Sequence, residues 1–259
     1  MIGIGRDFPA PTSSNFYFAY EEHIYVAPDG VPEPFYTPFT WNYQAYPHAL
    51  IIGATGTGKT TALKRLVLAL LAEQPRSEIY LASFKHKDDD FQFLNESSHF
   101  ASYARCREMF DTFFNRYLDR VNGDDPNRFP LRLVFDEWAG FIIIQPKNEQ
   151  EELLRRLGLL LMTGRSLGIQ IILAMQRPDV MFFKSGAVRD NVGLTLAMGN
   201  LTTDGASMVY PSQYTKLLKP CTLIGQGHML IGGGVKFCRI RIPPANTSHD
   251  LFLKRKLSD

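Results

Sequence analysis

The sequence predicts an α/β fold, a mostly parallel sheet covered by helices on both faces. Two patterns carry that expectation. From Ala49 onward, short apolar runs alternate with stretches of helical period. The short runs are apolar almost throughout rather than at every second residue, which is how strands read when both faces are buried.

The elements come in order. Residues 1–47 hold prolines at 9, 11, 28, 32, 34, 38 and 47, interleaved with aromatics from Tyr17 to Tyr46. Proline blocks regular helix, and so many rings are poorly suited to water. This segment is expected to be an extended arm packed on the core, with a short strand at 22–27. Residues 49–52 form a buried strand. Leu63, Leu66, Val67, Leu70 and Leu71 then trace one helical face. A second strand covers 79–84. Phe110, Phe113, Phe114, Tyr117, Leu118 and Val121 mark a second helix, closed by the turn Asn122-Gly123-Asp124-Asp125-Pro126. Residues 131–135 are a third strand. Leu153, Leu154, Leu157, Leu160 and Leu161 mark a third helix, and 169–174 and 192–198 are further strands. Residues 228–231 and 235–242, joined through three glycines, read as a C-terminal β-hairpin. The expected organisation is the arm at 1–47, a motor-sized domain at 48–245 and a polar tail at 246–259, with Lys254-Arg255-Lys256 facing solvent.

Composition excludes several classes. Of 259 residues, 45% are hydrophobic and 21% charged, which rules out wholesale disorder. The net charge of +2 is not the basic excess of a protein held mainly by charge on nucleic acid. Three cysteines without a CxxC pair argue against a disulfide scaffold or a four-thiolate zinc site. The sequence has no apolar run of spanning length and no signal-peptide core at its start, so a cytoplasmic location is expected.

The segment after the first buried strand reads Gly53-Ala54-Thr55-Gly56-Thr57-Gly58-Lys59-Thr60, which fits G-x-x-x-x-G-K-[ST] and leads into an amphipathic helix with Thr61 in its first turn. Glycines at these positions let successive N–H groups turn inward around phosphate oxygens. The helix N-terminus adds partial positive charge. Lys59 is placed for the β- and γ-phosphates, and the Thr60 hydroxyl for Mg²⁺. A phosphate-binding loop for ATP with Mg²⁺ is the expectation.

The third strand ends in Asp136-Glu137. Strand C-termini in an open parallel sheet share the ligand edge, so Asp136 is a candidate Mg²⁺ ligand and Glu137 a candidate general base for water. Alone, such a pair is a common polar strand end; beside a phosphate loop it points to hydrolysis. Gln176, at the end of the strand 169–174, is expected on the same edge as a γ-phosphate sensor. Arg165 precedes that strand and so belongs to the other end of the sheet. A guanidinium there suits a neighbouring subunit's γ-phosphate, acting in trans.

With these residues in place, the sequence resembles the FtsK/HerA family of DNA-pumping P-loop ATPases, in particular the FtsK-like coupling proteins of Gram-positive conjugative elements. The matching blocks are PHALIIGATGTGKT (47–60), LVFDEWAGFI (133–142), GRSLGIQIILAMQRPDV (164–180) and AVRDNVGLTLAMGNLTTDGASMVY (187–210), with DDDFQFL (88–94) in keeping. The resemblance spans about residues 40–240. It implies a RecA-like motor fold, a ring (a hexamer in the family) with ATP at subunit interfaces, and DNA in the channel. By position, Lys59 and Thr60 match the phosphate loop, Asp136 and Glu137 the second motif, Gln176 the sensor and Arg165 the trans-acting arginine. The family's membrane helices and winged-helix DNA reader are not read in these residues. Anchoring at the membrane and directional reading of DNA are therefore expected from a separate protein, such as an anchor or a relaxase or initiator partner. Many members carry an Arg in the strand that here reads Val192-Gly193-Leu194-Thr195, with Arg189 just before it. Lys147 and Lys184 are the loop lysines considered for the channel. The expected function is an ATP-hydrolysing DNA translocase, with double- or single-stranded substrate undecided. Two rivals stand beside it, an ATP switch that moves no DNA and an ATPase that moves protein.

Overall fold

The computed structural model describes residues 17–86, 90–95, 97–178, 190–244 and 246–257. Within them ten strands form one sheet in the order β2-β1-β10-β9-β8-β3-β7-β6-β4-β5. The central block is parallel: β8 (Leu194–Met198), β3 (Ala49–Gly53), β7 (Ile169–Met175), β6 (Leu131–Asp136), β4 (Glu78–Ser83) and β5 (Phe100–Ser102). Every residue of β3, β6 and β7 is buried, which accounts for their lack of alternation. Helices cover both faces. α1 (Lys59–Glu73) packs in one core cluster with Ile51, Val134 and Ile172. On the other face, α2 (Cys106–Asn122), α3 (Trp138–Ile143) and α4 (Lys147–Thr163) pack over Leu50, Leu133 and Ile171. The consecutive strand residues 50 and 51, 133 and 134, and 171 and 172 point to opposite layers, as the pleat requires.

The antiparallel part of the sheet is larger than the expected hairpin. β9 (Gln226–Ile231) and β10 (Lys236–Arg241) do form that hairpin, but β9 also pairs with β8 and so continues the central sheet. The aromatic segment adds two more strands, β1 (Tyr20–Val26) on β10 and β2 (Pro32–Pro38) at the edge. Pro32, Pro34 and Pro38 all lie on this outermost strand, where a missing N–H breaks no interior ladder and discourages further pairing. Phe18, Phe39, Trp41 and Tyr43 are buried beside Leu66 and Leu70 of α1. Arg65 ties this segment down by donating to the carbonyls of Tyr17 (2.7 Å) and Phe18 (3.2 Å).

The polar tail is corrected. Residues Thr247–Leu257 form a helix whose Leu253 and Leu257, one turn apart, are buried in the α1-side core. Lys64 of α1 pairs with Asp250 at 2.9 Å. Lys254, Arg255 and Lys256 do face solvent. Two leucines are a weak periodic signal in a mostly polar segment, so the helix is legible only once the face of α1 it covers is known.

His48 enters β3 with φ 63°, in the left-handed region, and is 1% exposed. Its Nδ1 accepts the Ile171 N–H at 3.0 Å, and burial pushes its pKa down to about 4. The unfolded chain holds a proton on this ring below about pH 6.5, whereas the folded chain does not until about pH 4. Stability is therefore expected to fall as pH drops through that window and to level off above it. The contribution of His48 over the whole window reaches about 3 kcal/mol. His228, also buried and lowered to about 4, acts in the same direction. Urea melts at pH 7.5 and pH 5 check this. His48→Asn, which tolerates the same backbone, should lose about 2 kcal/mol less than the wild type between them. An equal loss would assign the dependence to other groups.

Candidate active site

Five chain segments meet at the C-terminal edge of the parallel strands. β3 delivers the loop 54–58. Gly56 (φ 82°) and Gly58 (φ 96°) take the left-handed conformation that lets the loop curl back on itself before α1 starts. A Cβ on Gly53 would stand 2.6 Å from Thr57 Oγ1 and 2.8 Å from Met198 Cβ, so only glycine fits where the loop leaves the sheet. The loop is held from two sides. Thr57 Oγ1 donates to the Ala54 carbonyl at 2.8 Å, and the Gly225 N–H donates to the Thr57 carbonyl at 3.0 Å. Ala54, Thr55 and Gly56 are exposed, which leaves the concave side of the loop open to a ligand.

Lys59 begins α1 and is 6% exposed. Its ammonium donates to Asp136 Oδ1 at 3.3 Å and to Glu137 Oε1 in a second, shorter contact. Asp136, the last residue of β6, is fully buried, and one of its oxygens accepts the N–H of Glu137 at 3.1 Å. Glu137 has φ 61°, a left-handed conformation that costs a non-glycine residue roughly 1–2 kcal/mol. The neighbouring helix forces this conformation: Trp138 is fully buried against Phe110, Phe135 and Phe141, so α3 must turn at Glu137. That turn aims the carboxylate back over the sheet edge, an outlier of the kind found where geometry serves chemistry. Gln176, one residue beyond β7, donates to Glu137 Oε1 at 3.3 Å. Lys59, Thr60, Asp136, Glu137 and Gln176 thus come together in space from three separate strand ends. Thr61 lies in the first turn of α1, partly buried.

Sequence reasoning missed Lys85. It lies two residues beyond β4, where the Phe84 N–H donates to the Asp136 carbonyl at 3.0 Å and ties the two strand ends together. Its ammonium is 2.9 Å from Asp136 Oδ2, 3.3 Å from Thr60 Oγ1 and 3.1 Å from Asp90 Oδ2. A signal exists in the sequence: a charged residue just past an apolar central strand belongs to the same edge as Asp136.

Arg165 is not part of this cluster. It is exposed in the turn Gly164–Leu167, at the N-terminal end of β7. With β7 seven residues long, the two ends of the strand lie about 20 Å apart. Arg165 borders two surface clefts of ≈ 790 and ≈ 810 Å³, the first walled by Pro47, Asn191 and Gly232, the second by Tyr43, Arg128 and Gly168. Lys147 is the exposed first residue of α4. Lys184 and Arg189 lie outside the described residues, as do residues 88 and 89 of the acidic segment.

The residues present fit a magnesium–nucleotide pair. Thr60 Oγ1 and Asp136 Oδ2 converge on one cation-sized point, which the Lys85 ammonium occupies. Two hard oxygens on one edge, with the remaining positions left to water and phosphate, are what Mg²⁺ takes from a protein. Among the described residues no group of three or more His, Cys, Asp or Glu forms a metal-binding cluster.

The phosphate loop lies between a central strand and a helix, and a known family's model matches residues 30–112, which include that loop, β3 and α1. The chain resembles the FtsK/SpoIIIE family. The Ftsk domain-containing protein YdcQ of Bacillus subtilis is 25% identical over 225 residues, covering 81% of this chain and 45% of YdcQ. The DNA translocase FtsK of Lactococcus lactis subsp. cremoris is 27% identical over 222 residues, covering 74% of this chain and 28% of that protein. This chain therefore spans less than half the length of these FtsK/SpoIIIE-type relatives. The structure of the pCW3 conjugation coupling protein TcpA, a monomer form with ATPγS, superposes with a TM-score of 0.69 at 16% identity, covering 98% of this chain and 74% of TcpA. The fold is that of a RecA-like P-loop ATPase, as the FtsK/HerA resemblance implied. No helix among the described residues is long and apolar enough to cross a membrane.

Proposed function

We propose that this protein hydrolyses ATP to move DNA, as a ring whose nucleotide pockets lie between subunits. The observation that carries the reading is the division of the candidate residues between opposite ends of the sheet. Lys59, Thr60, Asp136, Glu137 and Gln176 share one end, and Arg165 is exposed at the other. A pocket that has a phosphate loop, a metal site and a base, but whose arginine faces away, is suited to completion by a second copy. The name of the FtsK relative, a DNA translocase, supports DNA as the polymer moved.

In this reading the inward N–H groups of 54–58 and the α1 N-terminus hold the β-phosphate, and Lys59 leaves its carboxylates for the β- and γ-phosphates. Thr60 and Asp136 hold Mg²⁺, which when bound neutralises phosphate charge. Glu137, freed from Lys59, accepts a proton from water, and Gln176 orients that water or reads the γ-phosphate through its amide. Hydrolysis releases these contacts and moves loops that grip DNA in the channel. Modest net charge is compatible with this, since each subunit contributes few phosphate contacts.

ATP turnover measured with and without duplex or single-stranded DNA, on protein sized for its oligomeric state, tests the proposal. Turnover is expected to rise severalfold on DNA and to depend on assembly. Lys59→Ala should abolish nucleotide binding by fluorescence titration. Slow turnover indifferent to DNA in an assembled ring would favour an ATP switch instead.

A further inference from the structure

We infer that Lys85 is a built-in counter-cation for the metal position: its ammonium balances the buried carboxylate before nucleotide arrives and must be displaced for Mg²⁺ to bind. The inference rests on the ATPase reading above and extends it to how the pocket is held between nucleotides. Asp136 is fully buried, and a buried carboxylate without a counter-charge is costly. Its two oxygens are shared out, Oδ1 to Lys59 at 3.3 Å and Oδ2 to Lys85 at 2.9 Å. Lys59 is the loop lysine and leaves for phosphate. Lys85 holds the two oxygens that would ligate the metal, Asp136 Oδ2 and Thr60 Oγ1. An ammonium and a divalent cation cannot occupy that point together, because they need the same oxygens and repel one another. Asp90, at 3.1 Å and about half exposed, lies on the solvent side of Lys85 and offers the displaced ammonium a place at the rim. Lys85 is thus a positioning residue that couples nucleotide loading to metal arrival.

The test is Mg²⁺-dependent binding of a fluorescent, non-hydrolysable ATP analogue to the full chain, comparing wild type with Lys85→Met and Lys85→Gln. The readout is the Mg²⁺ concentration at half-saturation rather than nucleotide affinity, since losing a positive charge also weakens the hold on phosphate. Both variants should need about tenfold less Mg²⁺, equivalent to about 1.4 kcal/mol of lost competition. Melting should show the counterpart: a lower Tm than wild type for the variants without ligand, and a smaller difference once Mg²⁺ and the analogue are bound. An unchanged or higher Mg²⁺ requirement in a folded variant overturns the inference. If wild type binds no analogue at any Mg²⁺ concentration, the nucleotide reading itself fails, which is a separate result. Lys85→Gln retains the polar end of the side chain and serves if Lys85→Met does not fold.

Discussion

Glu137→Gln is expected to lower steady-state ATP hydrolysis by roughly 10²–10⁴-fold, the range a positioned general base contributes, with nucleotide binding retained. The substitution preserves length and shape and removes only the ability to take a proton. In the structure Glu137 holds the Lys59 ammonium and accepts from Gln176. The amide gives up the ion pair, so Lys59 is released to phosphate at least as readily as in the wild type. Analogue binding should therefore stay within a few fold while single-turnover hydrolysis collapses. The left-handed φ of 61° separates chemistry from stability. Glu137→Gly should lose turnover equally, while the relief of backbone strain offsets the lost ion pair with Lys59 and leaves Tm close to that of wild type. Turnover surviving in both variants would remove Glu137 from the chemistry.

Arg165→Ala is expected to cost about 10³–10⁵-fold in turnover in the assembled protein, the effect of losing an arginine on the γ-phosphate, while each protomer keeps its own pocket intact. About 20 Å of β7 separates Arg165 from Gln176, so no side-chain rotation brings the guanidinium to the phosphate loop of its own chain. The decisive measurement is complementation. Lys59→Ala protomers lack a working loop but present Arg165; Arg165→Ala protomers have the loop but lack the arginine. Each is nearly inactive alone, and mixtures should recover activity at interfaces that pair one of each. Failure of recovery in mixed rings verified by size would show that Arg165 does not act across an interface. The location of Arg165 between two clefts is consistent with a surface that receives another copy.

Much of this arrangement is legible from residue order because its signals are local. The phosphate loop is eight consecutive residues with a steric demand for glycine, and the structure shows that demand at Gly53, Gly56 and Gly58. Asp136 ends and Gln176 directly follows strands that are apolar apart from Arg132 and Gln170, and in a parallel sheet all such ends share an edge. The same logic assigns Arg165 to the opposite end. The C-terminal helix is not legible, since Leu253 and Leu257 acquire meaning only against α1. The aromatic segment reads as packed, but its place as the outer strands of the central sheet depends on β10, about two hundred residues further along the chain.

Sequence alone is sufficient to find the contiguous motifs and the end of the sheet at which each falls, because backbone sterics and strand direction are set within a few residues. Strand order is needed for everything that depends on which strands are neighbours. It places β4 next to β6, so that Lys85 meets Asp136 and Thr60, and packing of α3 sets the turn that bends Glu137 over the loop. Crossover connections in a parallel sheet leave adjacency to the packing of whole layers, and no short stretch of residues encodes that choice.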